Sequence, residues 1–268
     1  MEVSNDGYRC APPILRSIIH PVSDGLSTAT SIARDMTAPQ LSIVIPCLNE
    51  GGIIGAALER LQPLRGRGAE VIIVDGGSSD DGAARAAMLA DRILSAPRGR
   101  AVQMNAGAVI ARGKILLFLH ADCALPRDAD RLILDGIAAH NRRWGRFDVR
   151  LAGSHPLLRV IAFMMNRRSR LTGIATGDQG MFVARDLFFA AGGFPVLPIM
   201  EDVALSRTLK SHGAPLCLRE CVAASARRWE ARGVLRTILL MWRLRLSYFL
   251  GADPADLALL YDSARSRG

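Results

Sequence analysis

The sequence predicts an α/β fold with a mostly parallel β-sheet flanked by helices. Three short apolar runs, Leu41–Pro46, Glu70–Val74 and Lys114–Leu119, are typical of strands that are buried on both faces. Segments with helical spacing separate these runs. Strands that alternate with helices in this way pair in parallel, because each helix carries the chain back across a face of the sheet.

The predicted elements follow a regular order up to residue 140. Proline stops the first strand, and Ile54, Leu58 and Leu61 then recur at the spacing of one helix face, which predicts a helix at Ile53–Leu64. The same reasoning predicts helices at Ala83–Ala90, Ala101–Ala111 and Pro126–Ile137 and a short strand at Arg92–Ser95.

Beyond residue 140 the pattern is less regular. Arg142–Arg150 is a basic segment, and Gly173–Gly180 is rich in glycine. The remaining predicted elements are helices at Pro156–Met165, Asp186–Ala191, Glu201–Ser211 and Val234–Leu250 and a short strand at Met181–Val183.

Composition limits the class of protein and its partners. The chain has 268 residues and is 50% apolar, which suffices for a large core and argues against global disorder. Its net charge of +9 favours anionic partners such as nucleotide phosphates or lipid head groups. Nearly all the basic residues are arginines, which fits a compositional bias equally well, and we expect no nucleic-acid partner.

Three regions are expected. Residues 1–40, rich in Ser, Thr, Pro and Asp, predict a flexible leader or an over-long start before a domain that begins near Leu41. Residues 41–232 form the main domain, and residues 233–268 form a helical extension that packs on the domain or on a membrane surface. Arginines within the apolar helix Val234–Leu250 leave both arrangements open. No uncharged apolar run of 18 residues occurs, so no spanning helix is predicted.

The five cysteines are scattered and include no Cys-x-x-Cys pair. The sequence therefore predicts neither a zinc site nor a disulfide framework. Reduced thiols fit a cytoplasmic protein, with the C-terminal helix allowing contact with the inner face of the cell membrane.

Polar residues follow each of the three buried strands. Asn49 and Glu50 follow the first strand, Asp75 follows the second, and His120 and Asp122 follow the third. In parallel sheets, ligands bind beyond the carboxyl ends of the strands. We therefore expect these side chains to share one binding site.

The residue types in these loops suit a phosphate ligand and a cation. The loop from Asp75 to Gly82 opens a helix, so its glycines allow close approach and the helix start offers free N–H groups. A carboxylate at a strand end, such as Asp122, can hold Mg²⁺ or Mn²⁺ against a diphosphate. Each feature also has a structural alternative, because Asp and Ser are common helix caps.

Later acidic groups can supply a general base. Asp178 lies in a Gly-rich segment, and Glu201 and Asp202 open a predicted helix. Transfer of a group to a hydroxyl needs one base to take its proton. Acids in a first helical turn also stabilise the helix dipole, so spacing alone leaves both roles open.

Together the motifs resemble glycosyltransferase family 2, with its nucleotide-diphosphosugar transferase (GT-A-like) fold. Seven motifs occur in the family's order between residues 41 and 250: LSIVIPCLNE, VDGGSSDDG, GRAVQMNAGA, LFLHAD, GDQGMF, GGFP and MED. The GDQG and IMED forms, with the later SARRWEARG stretch, resemble a bacterial subgroup labelled arsenosugar-biosynthesis or diaponeurosporenoate-type glycosyltransferases.

The resemblance implies a role for each matching residue. It assigns Asp202, with Glu201, to catalysis and Asp122 to the metal ion. The nucleotide-sugar donor is expected to contact Pro46, Asn49, Glu50, Asp75, Gly77, Ser78, Arg100, Asn105, His120, Ala121 and Asp122. The acceptor or the donor sugar is expected to contact Asp178, Gln179, Arg228 and Trp229.

Three positions depart from the family pattern. His120 replaces the first acid of an Asp-x-Asp motif, which weakens the preference for a hard cation. Gly76 replaces an acid that is common in its loop, which leaves the choice of nucleotide base open. Ser225 occupies the position of the Gln that precedes the Arg-Trp pair in processive members, so the sequence does not support polymer synthesis.

The sequence thus predicts an enzyme whose catalytic domain is residues 41–232. It would move a sugar from a nucleotide-diphosphate-sugar donor to a hydroxyl of a small-molecule or lipid-type acceptor, with inversion and with Mg²⁺ or Mn²⁺. One alternative is a sugar nucleotidyltransferase, which Cys47–Glu50 disfavours because a basic Gly-rich loop is expected there. The other is a nucleotide-sugar-binding or membrane-associated scaffold without turnover, which His120 favours.

Overall fold

The computed structural model describes residues 38–227, 230 and 233–266. The predicted leader therefore lies almost entirely outside the described residues. The described residues form an eight-stranded sheet. Its strands are β1 (Leu41–Cys47), β2 (Glu70–Asp75), β3 (Arg92–Ser95), β4 (Ile115–Phe118), β5 (Cys123–Ala124), β6 (Trp144–Ala152), β7 (Met181–Ala184) and β8 (Leu216–Ser225).

Helices flank this sheet. They are α1 (Gly51–Gly66), α2 (Gly82–Ala86), α3 (Arg100–Ile110), α4 (Ala129–His140), α5 (Leu157–Thr172), α6 (Arg185–Ala190), α7 (Glu201–Ser211), α8 (Val234–Phe249) and α9 (Pro254–Ser266), with a 3₁₀ turn at Gly177–Gln179.

The strand order is β3-β2-β1-β4-β7-β6-β8-β5. Strands β3, β2, β1 and β4 pair in parallel, and β6 pairs in parallel with β8. Strand β7 runs antiparallel to both β4 and β6, and β5 runs antiparallel to β8. The prediction of an α/β fold with a mostly parallel, helix-flanked sheet is confirmed.

The sheet separates two apolar cores, as the alternation of side chains along β1 shows. Ile43 and Ile45 point into a core that includes residues of α1, α4 and α5. Val44 points into the opposite core, which includes residues of α3, α6 and α7. Because successive strand residues face opposite sides, an apolar run of this kind needs helices on both faces.

Two long strands were absent from the predicted elements. The segment Arg142–Arg150 was interpreted as basic, but Trp144–Ala152 is a strand, and Leu216–Ser225 pairs beside it. Phe147, Val149 and Leu151 alternate with polar residues and are buried. This period of two was the available signal, and the surrounding arginines obscured it.

The C-terminal helices pack on the domain through one face only. Leu244 of α8 and Leu257 of α9 form a small buried cluster with Ile199 and Met200, just before α7. No helix among the described residues combines the length and the apolar character required to cross a bilayer.

A partly buried ion pair ties the end of α1 to the start of α4. The Arg67 guanidinium donates to both carboxylate oxygens of Asp130, with N–O distances of 2.7 and 2.6 Å. This pairing lowers the pKa of Asp130 below its ordinary value of 3.8, although burial alone would raise it.

We expect Asp130→Asn to lower the free energy of unfolding by about 2 kcal/mol, because it leaves Arg67 without its bidentate partner. The folded-state pKa of Asp130 is lowered, so this contribution is present above pH 4 or so and is lost as the pH falls through the lowered pKa. Urea unfolding of both proteins between about pH 3 and pH 7 measures it. Asp81→Asn removes an exposed pair with Arg85 and is the control, with an expected change under about 0.5 kcal/mol. Equal effects of the two substitutions would contradict the assignment.

Candidate active site

The loops after β1 and β2 are joined by a hydrogen-bond network. The Ser78 hydroxyl donates to Asp75 Oδ1 at 2.5 Å and accepts the Asn49 N–H at 2.9 Å. The Asn49 side-chain oxygen in turn accepts the Ser79 N–H at 2.9 Å. Asn49 has a φ of 54°, a left-handed conformation that Asn tolerates better than most residues. The Asp75 carboxylate also accepts the N–H groups of Gly77 and Ser78, so its orientation is fixed.

Asp80 and Gln103, for which the sequence predicted no role in the site, hold the carboxyl ends of β1 and β2 together. Asp80 accepts the N–H groups of Gly51 and Gly82, so one carboxylate caps the starts of both α1 and α2. Gln103 of α3 donates to the carbonyls of Cys47 and Val74, both at 2.8 Å. The buried amide of Gln103 was a detectable signal, because an apolar helix face seldom carries an unpaired amide.

The packing around Gln103 also explains the glycine at position 76. A Cβ atom at Gly76 would lie 3.0 Å from the Gln103 side chain. Position 76 therefore has little room for the acid that the family often carries there.

Antiparallel pairing of β7 brings a second loop to the end of β4. Met181 pairs with Phe118, so the residues just before Met181 lie beside those just after Phe118. A Cβ atom at Gly177 would lie 2.4 Å from the His120 ring. Asp178 Oδ1 lies 3.6 Å from His120 Nδ1. The Gly-rich turn and the residues after β4 thus form one wall of the candidate site.

Asp202 joins this wall from the start of α7. Its Oδ2 accepts the Gly177 N–H at 2.7 Å, and its Oδ1 accepts the Val203 N–H at 2.7 Å. Each carboxylate oxygen can accept a further hydrogen bond, so Asp202 retains acceptor capacity. A small cavity here is lined by Met104, Phe118, His120, Gly177, Met181, Phe194, Glu201 and Asp202.

Glu201 points toward α3 and pairs with Arg100, at 3.0 Å between Glu201 Oε1 and Arg100 Nε. Glu201 is 3% exposed, and its Oε2 has no hydrogen-bond partner among the described residues. Burial raises the pKa of Glu201, although Arg100 opposes this. Burial alone would lower the pKa of Arg100, but the carboxylates of Glu201 and Asp202 outweigh it and raise the pKa.

The end of β4 carries the donor atoms for a metal ion. The ligand atoms of His120, Asp122 and Cys123 all lie within 4.8 Å of one another. A carboxylate with an imidazole fits Mn²⁺ better than Mg²⁺, which prefers oxygen ligands throughout. Diphosphate oxygens of a bound nucleotide can complete such a coordination sphere.

The loops containing Asp75, Asp122 and Asp202 lie along one edge of the molecule. Strands β2 and β4 both pair with β1, so the two strands lie about 10 Å apart across the sheet, two strand spacings. Gly177 connects the end of β4 to Asp202. The separation across β1 suits a diphosphate between a nucleoside at β2 and a cation at β4.

Other predicted contact residues have structural surroundings. Asn105 is buried, donates to the Phe194 carbonyl at 2.8 Å and accepts the Phe194 N–H at 2.9 Å. Gln179 is fully buried and accepts the Thr176 N–H at 3.1 Å. Neither amide is therefore available to a ligand in this conformation.

The remaining predicted contacts divide between this edge and the undescribed part of the chain. Pro46 pairs with Val74 within the sheet, and the Glu50 carbonyl accepts the N–H groups of Ile53 and Ile54 in α1. Ala121 is buried. Arg228 and Trp229 lie outside the described residues, and the adjacent Arg227 is exposed.

Known proteins resemble this chain in sequence and in structure. A PGL/p-HBAD biosynthesis glycosyltransferase from Mycobacterium bovis (strain BCG / Pasteur 1173P2) is 36% identical over 104 residues, which are 36% of this chain and 40% of that protein. The chain thus matches less than half the length of this relative. The mannosyltransferase PcManGT from Pyrobaculum calidifontis, in complex with GDP-Man and Mn²⁺, superposes with a TM-score of 0.59 at 20% identity, covering 85% of this chain and 70% of that one. TarS 1-349 from S. aureus superposes with a TM-score of 0.58 at 15% identity, covering 70% and 60%.

These structural likenesses establish a GT-A glycosyltransferase fold. The arsenosugar or diaponeurosporenoate subgroup stays a prediction. The model of the family described as "Glycosyl transferase family 2" matches residues 42–191, more than half of the chain. The chain belongs to glycosyl transferase family 2.

Proposed function

We propose that this protein transfers a sugar from a nucleotide-diphosphate-sugar donor to an acceptor hydroxyl, with inversion at the anomeric carbon. The observation that carries the proposal is the position of Asp202, which is hydrogen-bonded to Gly177 and lies beside His120. A general base is thereby held next to the strand end that carries the candidate metal ligands. Family membership supports the same reaction class.

In the proposed reaction, the acceptor oxygen attacks the anomeric carbon as the bond from that carbon to the diphosphate breaks. The hydroxyl proton passes to Asp202, and the nucleoside diphosphate leaves with the bonding electrons. Attack opposite the leaving group inverts the configuration and needs one protein base. The two backbone N–H groups on Asp202 hold its carboxylate in place for this transfer.

The other residues of the edge bind and orient. The fixed carboxylate of Asp75 can accept hydrogen bonds from the base or the ribose. Asp122 and His120 would hold Mn²⁺ or Mg²⁺, and a bound ion would stabilise the negative charge of the leaving diphosphate. Glu201 keeps the Arg100 guanidinium at the start of α3, facing the same edge. PcManGT, whose structure contains GDP-Man and Mn²⁺, provides a parallel for the donor and the ion.

The acceptor is the least constrained substrate. On the basis of the GDQG and IMED motifs, we propose that the protein acts in arsenosugar or carotenoid-type glycoside biosynthesis. The two kinds of acceptor, a small polar molecule and a lipid, make different demands on the surface of the protein.

The outer face of α8 favours a lipid surface. Five large side chains recur at intervals of four, three, four and three residues and are 61–79% exposed: Leu235, Leu239, Trp242, Leu246 and Phe249. We call these residues the outer stripe. Arg236 and Arg243 are exposed beside it, which suits anionic head groups. We therefore propose peripheral contact with an anionic membrane through this stripe.

Asp202→Asn is expected to reduce transfer at least about 1000-fold, because the amide cannot take the hydroxyl proton. Binding of the nucleoside diphosphate with Mn²⁺ should change less than about threefold, since Asp202 lies on the acceptor side in this mechanism. Release of nucleoside diphosphate measures turnover, and calorimetry measures binding. Asp186→Asn, at an exposed acid paired with Arg143, is the control and should leave both unchanged. Equal loss of binding and turnover in Asp202→Asn would remove Asp202 from the base role.

Asp122→Ala is expected to weaken Mn²⁺-dependent binding of UDP or GDP by about tenfold or more, because it removes the only carboxylate of the candidate metal cluster. Binding measured in EDTA should be the same in the variant and the wild type. Asp135→Ala, at an exposed position of α4, is the control. Wild-type activity that persists in EDTA would reject the metal role.

Leu239→Glu combined with Trp242→Glu is expected to reduce binding to vesicles of 30% phosphatidylglycerol at least about tenfold, because two apolar contacts are replaced by charges that anionic lipid repels. Flotation of the full chain with these vesicles gives the measurement. Leu259→Glu changes an exposed leucine of α9 outside the stripe and should bind nearly as the wild type does. If the wild type fails to bind, or if all three proteins bind alike, the outer stripe is not a membrane contact.

A further inference from the structure

The residue before the acidic pair Glu201–Asp202 has an unusual backbone conformation. Met200 precedes α7 with a φ of 68° and a ψ of 18°, in the left-handed region. Among the residues that the structure describes, the other non-glycine residues with a positive φ are Asn49 and Asn141. An asparagine can stabilise this conformation through its short polar side chain, but a methionine cannot. A residue such as Met200 therefore keeps a left-handed conformation only where its surroundings impose it.

The C-terminal helices provide these surroundings. Met200 is 4% exposed and shares a buried cluster with Ile199, Leu244 of α8 and Leu257 of α9. Val203, in the first turn of α7, packs against the same cluster. The cluster is separate from the two cores on either side of the sheet. Helices α8 and α9 thus supply the buried partners of Met200 that come from outside its own segment.

The burial of the Met200 side chain and the strain of its backbone are of similar size. A left-handed conformation lowers the population of a non-glycine residue by a factor of roughly 5 to 30. Full burial of a methionine side chain favours the packed state by a factor of roughly 10 to 150. The packing therefore suffices to hold the conformation, but with little in reserve. Loss of part of the cluster would let Met200 return to an ordinary conformation.

The conformation of Met200 determines how α7 begins. Its carbonyl accepts the Ala204 N–H at 3.0 Å, and Glu201 and Asp202 follow directly in the chain. A change in the φ of Met200 would therefore move both carboxylates. Asp202 Oδ2 accepts the Gly177 N–H at 2.7 Å, a contact that such a movement would break. Misplacement of a reacting group by about 1 Å can cost about 100-fold in rate.

We propose that Met200 is a positioning residue for Asp202. Leu244 and Leu257 hold Met200 in its left-handed conformation. This conformation directs the Asp202 carboxylate toward the Gly177 N–H. Helices α8 and α9 are thereby part of the catalytic unit, through packing rather than through contact with a substrate. The kinetic consequence rests on the proposed role of Asp202 as the base, whereas the alignment of Asp202 with Gly177 does not depend on turnover.

Leu257→Ala tests the cluster from α9, outside the candidate site. It should lower kcat about 10- to 100-fold, while KM for the donor and the affinity for UDP or GDP with Mn²⁺ change less than about threefold. Leu257→Met conserves the volume and should restore kcat to within about threefold of the wild type.

Leu64→Ala is the matched control, because it removes the same atoms from a buried position near the end of α1, about 20 Å along the helix from its start. It should lower Tm but leave kcat unchanged at a temperature at which the variant is folded. An unchanged kcat in Leu257→Ala, or an equal loss of kcat in Leu64→Ala, would overturn the proposal.

A double-mutant cycle with Met200→Gly tests whether the cluster acts through position 200. Glycine adopts the left-handed conformation without support from packing. In the Met200→Gly background, Leu257→Ala should therefore change kcat less than about threefold. A loss as large as in the wild-type background would mean that Met200 is not the positioning residue.

Hydrogen exchange separates this inference from the proposed function. The Gly177 amide of Leu257→Ala should exchange at least about tenfold faster than in the wild type, relative to the amides of β1, because its acceptor is no longer aligned. If Asp202→Asn retained transfer, the base role would be wrong, and faster exchange at Gly177 would still support the positioning of Asp202. Unchanged exchange at Gly177 would overturn the positioning, whatever the role of Asp202 in catalysis.

Discussion

The hydrogen bond from the Gly177 amide to Asp202 connects the two halves of the candidate site. Gly177 belongs to the turn before β7, and Asp202 belongs to the first turn of α7. Strand β7 pairs antiparallel to β4, so this turn lies against His120 at the end of β4. The position of the proposed base relative to the proposed metal ligands therefore depends on one glycine without a side chain. Any Cβ atom at position 177 would collide with the His120 ring and separate the two groups.

Ion pairs and backbone hydrogen bonds hold the acidic residues of this edge in place despite their mutual repulsion. Arg100 pairs with the buried carboxylate of Glu201, and backbone N–H groups hold Asp75, Asp80 and Asp202. Backbone donors fix a carboxylate without neutralising it, so its charge stays available to a ligand. The donor side thus retains negative charge for a cation.

The sequence predicted those parts of the fold whose signal is local. The buried strands β1, β2 and β4 are continuous apolar runs, and the polar residues at their ends identified one edge. The strands β6 and β8 were missed because charged residues interrupt their apolar pattern, and Arg146 of β6 is buried through pairing with Asp148. A pairing between distant charges compensates for the burial, and periodicity within one segment cannot reveal it. Asn105 shows the same limit, since the motif contains the residue but its partner Phe194 is 89 positions away.

The two faces of α8 connect the proposals about the acceptor. Its inner face carries Leu244, which packs beside Met200, next to the proposed base. Its outer face carries the outer stripe with Arg236 and Arg243. A helix that packs with only one face leaves large apolar groups in water, a cost that contact with a lipid surface would remove. An acceptor with an apolar tail could keep that tail in the bilayer beside the outer stripe while its hydroxyl reached the proposed base next to the inner face. A small polar acceptor would use only the inner face, and the exposure of the stripe would then have no counterpart in catalysis. The same helix therefore links membrane affinity to access of a lipid-type acceptor to the proposed base.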